Sequence, residues 1–94
     1  MTAYLIARIT VTAPEDYQSY ASQTVALAEK AGGRFLVKGG FQTQVEGNSP
    51  ERHVLIEFPD HDTALNWYNS PEYQRILPIA TSSSERDIVI VDGI

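Results

Sequence analysis

The sequence predicts an α+β fold in which strands and helices follow the order β-α-β-β-α-β and close one four-stranded antiparallel sheet with helices on one face. Three observations carry this. Apolar residues alternate with period two in the segments that would be strands. Helical spacing follows prolines and acids that suit helix starts. A short polar turn stands between the second and third strands, where a hairpin is needed. The chain has 94 residues, a length that fits a single domain spanning 1–94.

Each element has its own signal. From Ala3 to Val11, Ala3, Leu5, Ala7, Ile9 and Val11 fall on one face and Tyr4, Ile6, Arg8 and Thr10 on the other, which is a strand pattern. Pro14 suits a first helical turn, where its missing N–H costs nothing. Glu15 and Asp16 follow, favoured by the helix dipole. Tyr17, Tyr20, Ala21, Thr24, Leu27, Ala28 and Ala31 then recur at helical spacing until Gly32-Gly33 stops the helix. Arg34 to Val45 reads as a second strand, in which Gly39-Gly40 marks a bulge or a close backbone approach. Glu46 to Pro50 is turn chemistry, and Arg52 to Phe58 is a third strand. Asp60 can cap a helix carrying Ala64, Leu65 and Tyr68. Ser70-Pro71-Glu72 restarts one with Tyr73, Ile76 and Leu77 on its apolar side. Pro78 ends or kinks that helix, Thr81 to Ser84 is loop, and Asp87 to Val91 is the last strand.

Composition removes several function classes. Seven basic and twelve acidic side chains give a net charge of −5, against the basic face that nucleic acid requires. No apolar run approaches 20 residues, so no membrane-spanning helix is expected. Met1-Thr2-Ala3-Tyr4 has neither the basic region nor the apolar block of a signal peptide, and a cytoplasmic location is expected. With no cysteine, disulfides, thiol catalysis and cysteine metal sites are excluded.

The sheet has a second face, and it is not polar. Ile88-Val89-Ile90-Val91 is apolar on both sides, and the third strand sets Val54, Ile56 and Phe58 against His53, Leu55 and Glu57. An antiparallel sheet with one wet face should alternate cleanly. An exposed apolar face of this size marks an interface, and the simplest cover is a second copy in a two-fold homodimer.

The chain resembles the small bacterial family called domain of unknown function 1330. The likeness lies in Tyr4-Leu5-Ile6-Ala7, Pro14-Glu15-Asp16-Tyr17, Gly32-Gly33-Arg34-Phe35-Leu36-Val37-Lys38-Gly39-Gly40, Glu57-Phe58-Pro59, Trp67-Tyr68-Asn69-Ser70-Pro71-Glu72-Tyr73-Gln74 and Asp87 to Gly93. It implies a ferredoxin-like subunit and a dimeric α/β-barrel, with two subunits packed sheet to sheet; it implies no activity. The chain departs from the family at Ala13, where relatives often carry a capping acid or hydroxyl. It departs again near Ala80, where many carry an arginine that Arg75 or Arg86 could replace.

The candidate site residues are Arg8, Arg34, His53 and Glu57. In this order of strands the first and third are neighbours; if both sets face away from the helices, Arg8, His53 and Glu57 line a cavity between two sheets. A histidine beside a carboxylate can move protons; Arg8 and Arg34 can hold an anionic substrate. The plainer alternatives are an Arg8–Glu57 ion pair with a solvated His53, and an Arg34–Glu57 pair. Tyr17, Tyr20, Trp67, Tyr68 and Tyr73 read as helix packing, Trp67 least clearly because it sits one position off the apolar stripe. His53 and His61 do not make a metal site, and Asp60-His61-Asp62 reads as capping. Neither glycine pair has the context of a phosphate loop, Ser82-Ser83-Ser84 is no nucleophile elbow, and no cofactor is expected. Three functions remain open: a small-molecule enzyme, a non-catalytic small-molecule-binding module, and a structural homodimer with a filled core.

Overall fold

The computed structural model describes all residues, 1–94. The elements are β1 (Ala3–Val11), α1 (Pro14–Lys30), β2 (Arg34–Lys38), β3 (Arg52–Phe58), α2 (His61–Tyr68), α3 (Pro71–Ser83) and β4 (Ser84–Asp92). The sheet order is β2-β3-β1-β4, and every neighbouring pair is antiparallel. This is the ferredoxin-like fold, with its second helix in two pieces.

The alternation in β1 decides which face is buried. Ala3, Leu5, Ala7 and Ile9 are nearly inaccessible and pack under the helices with Val54, Ile56 and Phe58 from β3. Tyr17, Tyr20, Thr24 and Ala28 supply the buried side of α1, and Tyr73, Ile76 and Ala80 that of α3. The register is consistent with one shared inward row after another: Leu5 faces Ile56 on one side and Ile90 on the other, and Ala7 faces Val54 and Ile88. The opposite face carries Tyr4, Ile6 and Arg8 of β1 with Leu55 and Val89 beside Ile6.

The helix ends follow the expected chemistry. Asp60 accepts a hydrogen bond from the Thr63 N–H at 2.7 Å, and this holds its carboxyl below the usual carboxylate range. Ser70 accepts from the Tyr73 N–H and donates to the Trp67 carbonyl, so one hydroxyl joins α2 to α3. Ala13 offers α1 no side-chain cap. Instead, Thr12 and Ala13 donate their N–H groups to the Ser83 carbonyl, which ties the start of α1 to the end of α3.

Three sequence expectations are corrected. β2 ends at Lys38, not Val45, and a register shift lies between Phe35 and Val37 instead of at the glycines. The connection to β3 is thus a long loop, not a tight hairpin turn. Helix α3 runs through Pro78 and converts the expected loop into its last turn. Thr81, Ser82, Ser83 and Ser84 donate their hydroxyls to the carbonyls of Pro78, Ile79, Ile79 and Ala80, while buried Ile76, Ala80 and Ser83 anchor the turn. The apolar stripe of α2 is also shifted: Leu65, expected on it, is 39% exposed, whereas Trp67 is 95% buried, in keeping with its reading as a packing residue. Trp67 packs against Phe58 and Tyr73 at ring separations of 5.5 and 4.5 Å.

A close approach within the core is at Gly33, after α1. A Cβ there would sit 2.9 Å from the buried Phe58 ring and 3.0 Å from the Ala28 carbonyl. Gly33→Ala should cost about 1–3 kcal/mol, the usual penalty for overpacking. Urea unfolding measures this, and an unchanged midpoint would contradict the packing described.

Candidate functional site

The residues expected to form a site do share the open face of the sheet. Arg8 lies opposite His53 on β3 and Asp87 on β4; Glu57 lies opposite Tyr4 and Arg34. These are two separate rows, with the apolar row Leu55–Ile6–Val89 between them. His53 and Glu57 are four residues apart on one strand, about 13 Å at the usual rise. Arg34 pairs with Glu57 at 3.2 Å, which is the alternative pairing and not the Arg8–Glu57 one. The His53 ring nitrogen Nδ1 meets the Gln42 amide oxygen at 2.7 Å. The chain therefore brings Arg34 to Glu57 and Arg8 to His53, but does not bring His53 to Glu57. His61 lies elsewhere, 2.9 Å from Asp92.

The enclosed space is on the other side of the sheet. A cavity of about 40 Å³ lies between the sheet and α1, room for roughly three waters at 10–15 Å³ each. Small residues create it: Ala7 in the middle of the sheet floor, Ala21 and Thr24 on the helix above. Tyr17, Phe35 and Trp67 form apolar walls. It is open on the side of Lys38, which is solvent-exposed.

Its polar groups are concentrated. The Tyr20 and Tyr73 hydroxyls are 2.7 Å apart. Arg86 reaches from β4, donating to Tyr20 at 3.0 Å and, with a longer contact of 3.5 Å, to Tyr73. Its guanidinium also lies 5.1 Å from the centre of the Tyr20 ring, a cation–π arrangement. Burial, reinforced by the neighbouring Tyr20 phenol, pushes the Tyr73 hydroxyl well above the ordinary tyrosine value. Burial raises Tyr17 as well. Within the array Arg86 donates to both hydroxyls and one hydroxyl donates to the other, which leaves one phenolic O–H and the remaining guanidinium N–H groups free to donate.

Two further donors have no partner. Arg52 Nε and Trp67 Nε1 are buried without a hydrogen bond, and both residues line the cavity. A buried unsatisfied donor costs about 1–3 kcal/mol, so acceptors belong beside them. Lys38, Arg52 and Arg86 all line this space and no carboxylate does, although acids outnumber bases twelve to seven.

Strand parity was the available signal for this site. Arg52 shares its parity with Val54, Ile56 and Phe58, and Arg86 with Ile88 and Ile90, so both arginines must point under the helices. Lys38 carried no such signal, because the irregularity in β2 sets its face.

A model of the family described as Domain of unknown function (DUF1330) matches residues 2–94. No curated protein matches the chain. Among solved structures, a protein of unknown function from Rhodopseudomonas palustris is similar with a TM-score of 0.82 and 12% identity, covering 99% of this chain and 82% of that one. SnoaB, a cofactor-independent oxygenase from Streptomyces nogalater, is similar with a TM-score of 0.72 and 20% identity, over 99% of this chain and 93% of that one. A dimeric ferredoxin-like protein of unknown function from Jannaschia sp. CCS1 has a TM-score of 0.73 and 15% identity, over 99% of this chain and all (100%) of that one. At these identities the likeness shows the fold.

The raised phenols have a consequence for stability. Unfolded tyrosine ionises near 10, whereas folded Tyr17 and Tyr73 hold their protons above it. Above pH 10 the native state thus binds more protons than the unfolded state, and stability falls as pH rises. Absorbance titration of the five tyrosines should leave at least two protonated beyond the ordinary range, with the urea midpoint declining over the same interval. Five tyrosines ionising together near 10 in the folded protein would contradict the buried array.

Proposed function

The chain belongs to the DUF1330 family, and from that premise we propose that it binds a small anionic molecule with a flat, mostly apolar body beneath α1, where the cavity of about 40 Å³ has to widen to admit it. The observation that carries the reading is the lining itself: three cations and no carboxylate, in an acidic protein, around aromatic walls. Pockets that fix a small molecule are commonly apolar with a few convergent polar groups.

The Tyr20–Tyr73–Arg86 array then has a chemical role. Donors held in place where negative charge develops stabilise an oxyanion without having to reorganise. A phenol or enol bound there is held toward its phenolate or enolate. SnoaB is described as a cofactor-independent oxygenase, and the shared fold supports asking whether this chain also promotes reaction of such an anion with dioxygen. The second reading is a binding module without turnover. What favours it is the lack of any histidine or carboxylate in the cavity lining, which leaves no evident base to remove a proton.

The open face serves a different purpose on this reading. Ile6 and Leu55 are half-buried, Val89 is 56% exposed and Val91 45% exposed, and a second copy of the same face would cover them. The dimeric Jannaschia neighbour is consistent with that. An alternative site between the two sheets keeps Arg8 and Arg34 as anion holders and His53 and Glu57 as acid–base groups.

Two experiments test these proposals. The only tryptophan, Trp67, lines the cavity, so its fluorescence reports binding of small phenols and enolisable ketones. Binding should weaken at least about tenfold in Arg86→Gln, as expected for losing a charged hydrogen bond, and Tyr73→Phe should weaken it less. A panel that never perturbs Trp67 would refute the cavity reading, and protein-dependent oxygen uptake with a bound phenol separates enzyme from binder. For assembly, native mass spectrometry should give twice the subunit mass for the wild type and a monomer for Val89→Glu. A wild-type monomer at micromolar concentration would refute the homodimer.

A further inference from the structure

The cavity has two polar ends, and only one is internally satisfied. Arg52 and Arg86 occupy the same cross-strand row, both paired with Ile9, which lies between them. Two strand spacings put their Cα atoms about 10 Å apart, and both side chains line the cavity. Arg86 is already engaged by Tyr20 and Tyr73. Arg52 is not: its Nε is buried without a partner, and it forms no ion pair within the chain.

Arg52 is also held from outside. Gly39 adopts φ +73°, and a Cβ there would lie 2.6 Å from Arg52 Nη1. Glycine is what permits both the left-handed backbone and the guanidinium lying against it. The Gly39 N–H donates to the His53 carbonyl at 2.9 Å, fixing the start of the loop beside Arg52. Lys38, directly before it, adds a second cation at the open side. A planar guanidinium next to an ammonium, at the mouth of an apolar cavity, is suited to a carboxylate.

We propose that Lys38 and Arg52 form a carboxylate-holding mouth, so that the ligand is a small carboxylic acid bearing a second oxygen, phenolic or enolic, at its far end. The inference rests on the cavity reading above and narrows it. The acid group stays at the mouth, the apolar body lies over Ala7 and against Trp67, and the second oxygen meets the Tyr20–Tyr73–Arg86 donors.

The test uses 4-hydroxybenzoate, which has both groups, and 4-cresol, which has only the phenol, with Trp67 fluorescence as the readout. In the wild type 4-hydroxybenzoate should bind at least about tenfold tighter than 4-cresol, the scale of one charged hydrogen-bonded contact. Arg52→Gln should remove that advantage and leave 4-cresol binding unchanged. Arg52→Lys, which keeps the charge but loses the planar fork, should restore only part of it. Equal affinities in the wild type would overturn the inference, as would an Arg52→Gln variant that weakens both probes alike or neither. If 4-cresol binds and only the acid preference is missing, the cavity reading stands without the mouth. If neither probe perturbs Trp67, both fail.

Discussion

The helix layer is organised around a guanidinium. Arg86 enters from β4 under the helices, where a cation is costly unless it is paired, and it is held by hydroxyls from α1 and α3. Those two hydroxyls hold each other, so one small polar cluster ties three elements that are distant in sequence. Removing either phenol would leave the charge less satisfied in surroundings of aromatic rings. The space beside the cluster is lined by the same three residues together with Ala7 and Ile88.

The sheet separates two roles by parity. On one face of β1, Leu5, Ala7 and Ile9 build a core with an opening in it; on the other, Tyr4, Ile6 and Arg8 alternate with them and remain accessible. A residue therefore contributes either to the proposed ligand cavity or to the proposed contact between copies. The ion pair Arg34–Glu57 and the Arg8–His53–Asp87 row flank an apolar strip, an arrangement suited to a self-complementary surface under two-fold symmetry. The three cations of the cavity lie behind the sheet from that surface.

Much of this was legible in the sequence because it depends on local rules. Alternation placed β1 and β3 at their observed bounds, and Asp60 and Ser70-Pro71 marked helix starts that the hydrogen bonds bear out. Where tertiary contacts override local preference, the reading changed. Pro78 does not stop α3, because Ile76, Ala80 and Ser83 bury its last turns and serine hydroxyls satisfy the carbonyls. The site was partly legible. Arg8, His53 and Glu57 do share a face, but their separation along the strands follows from register, which pattern alone did not supply. Tyr20 and Tyr73 are core residues, as their spacing implied; that their hydroxyls meet an arginine depends on α1 and α3 lying side by side.

On the proposed reading, the ligand binds on the helix side of the sheet. The indole N–H of Trp67 and the imidazole of His53 report on opposite faces and give separate signals in proton–nitrogen NMR. Titrating the intact protein with 4-hydroxybenzoate should move the Trp67 indole resonance strongly and leave the His53 ring in place. A shift confined to His53, with Trp67 unmoved, would put the ligand between the sheets and contradict the account.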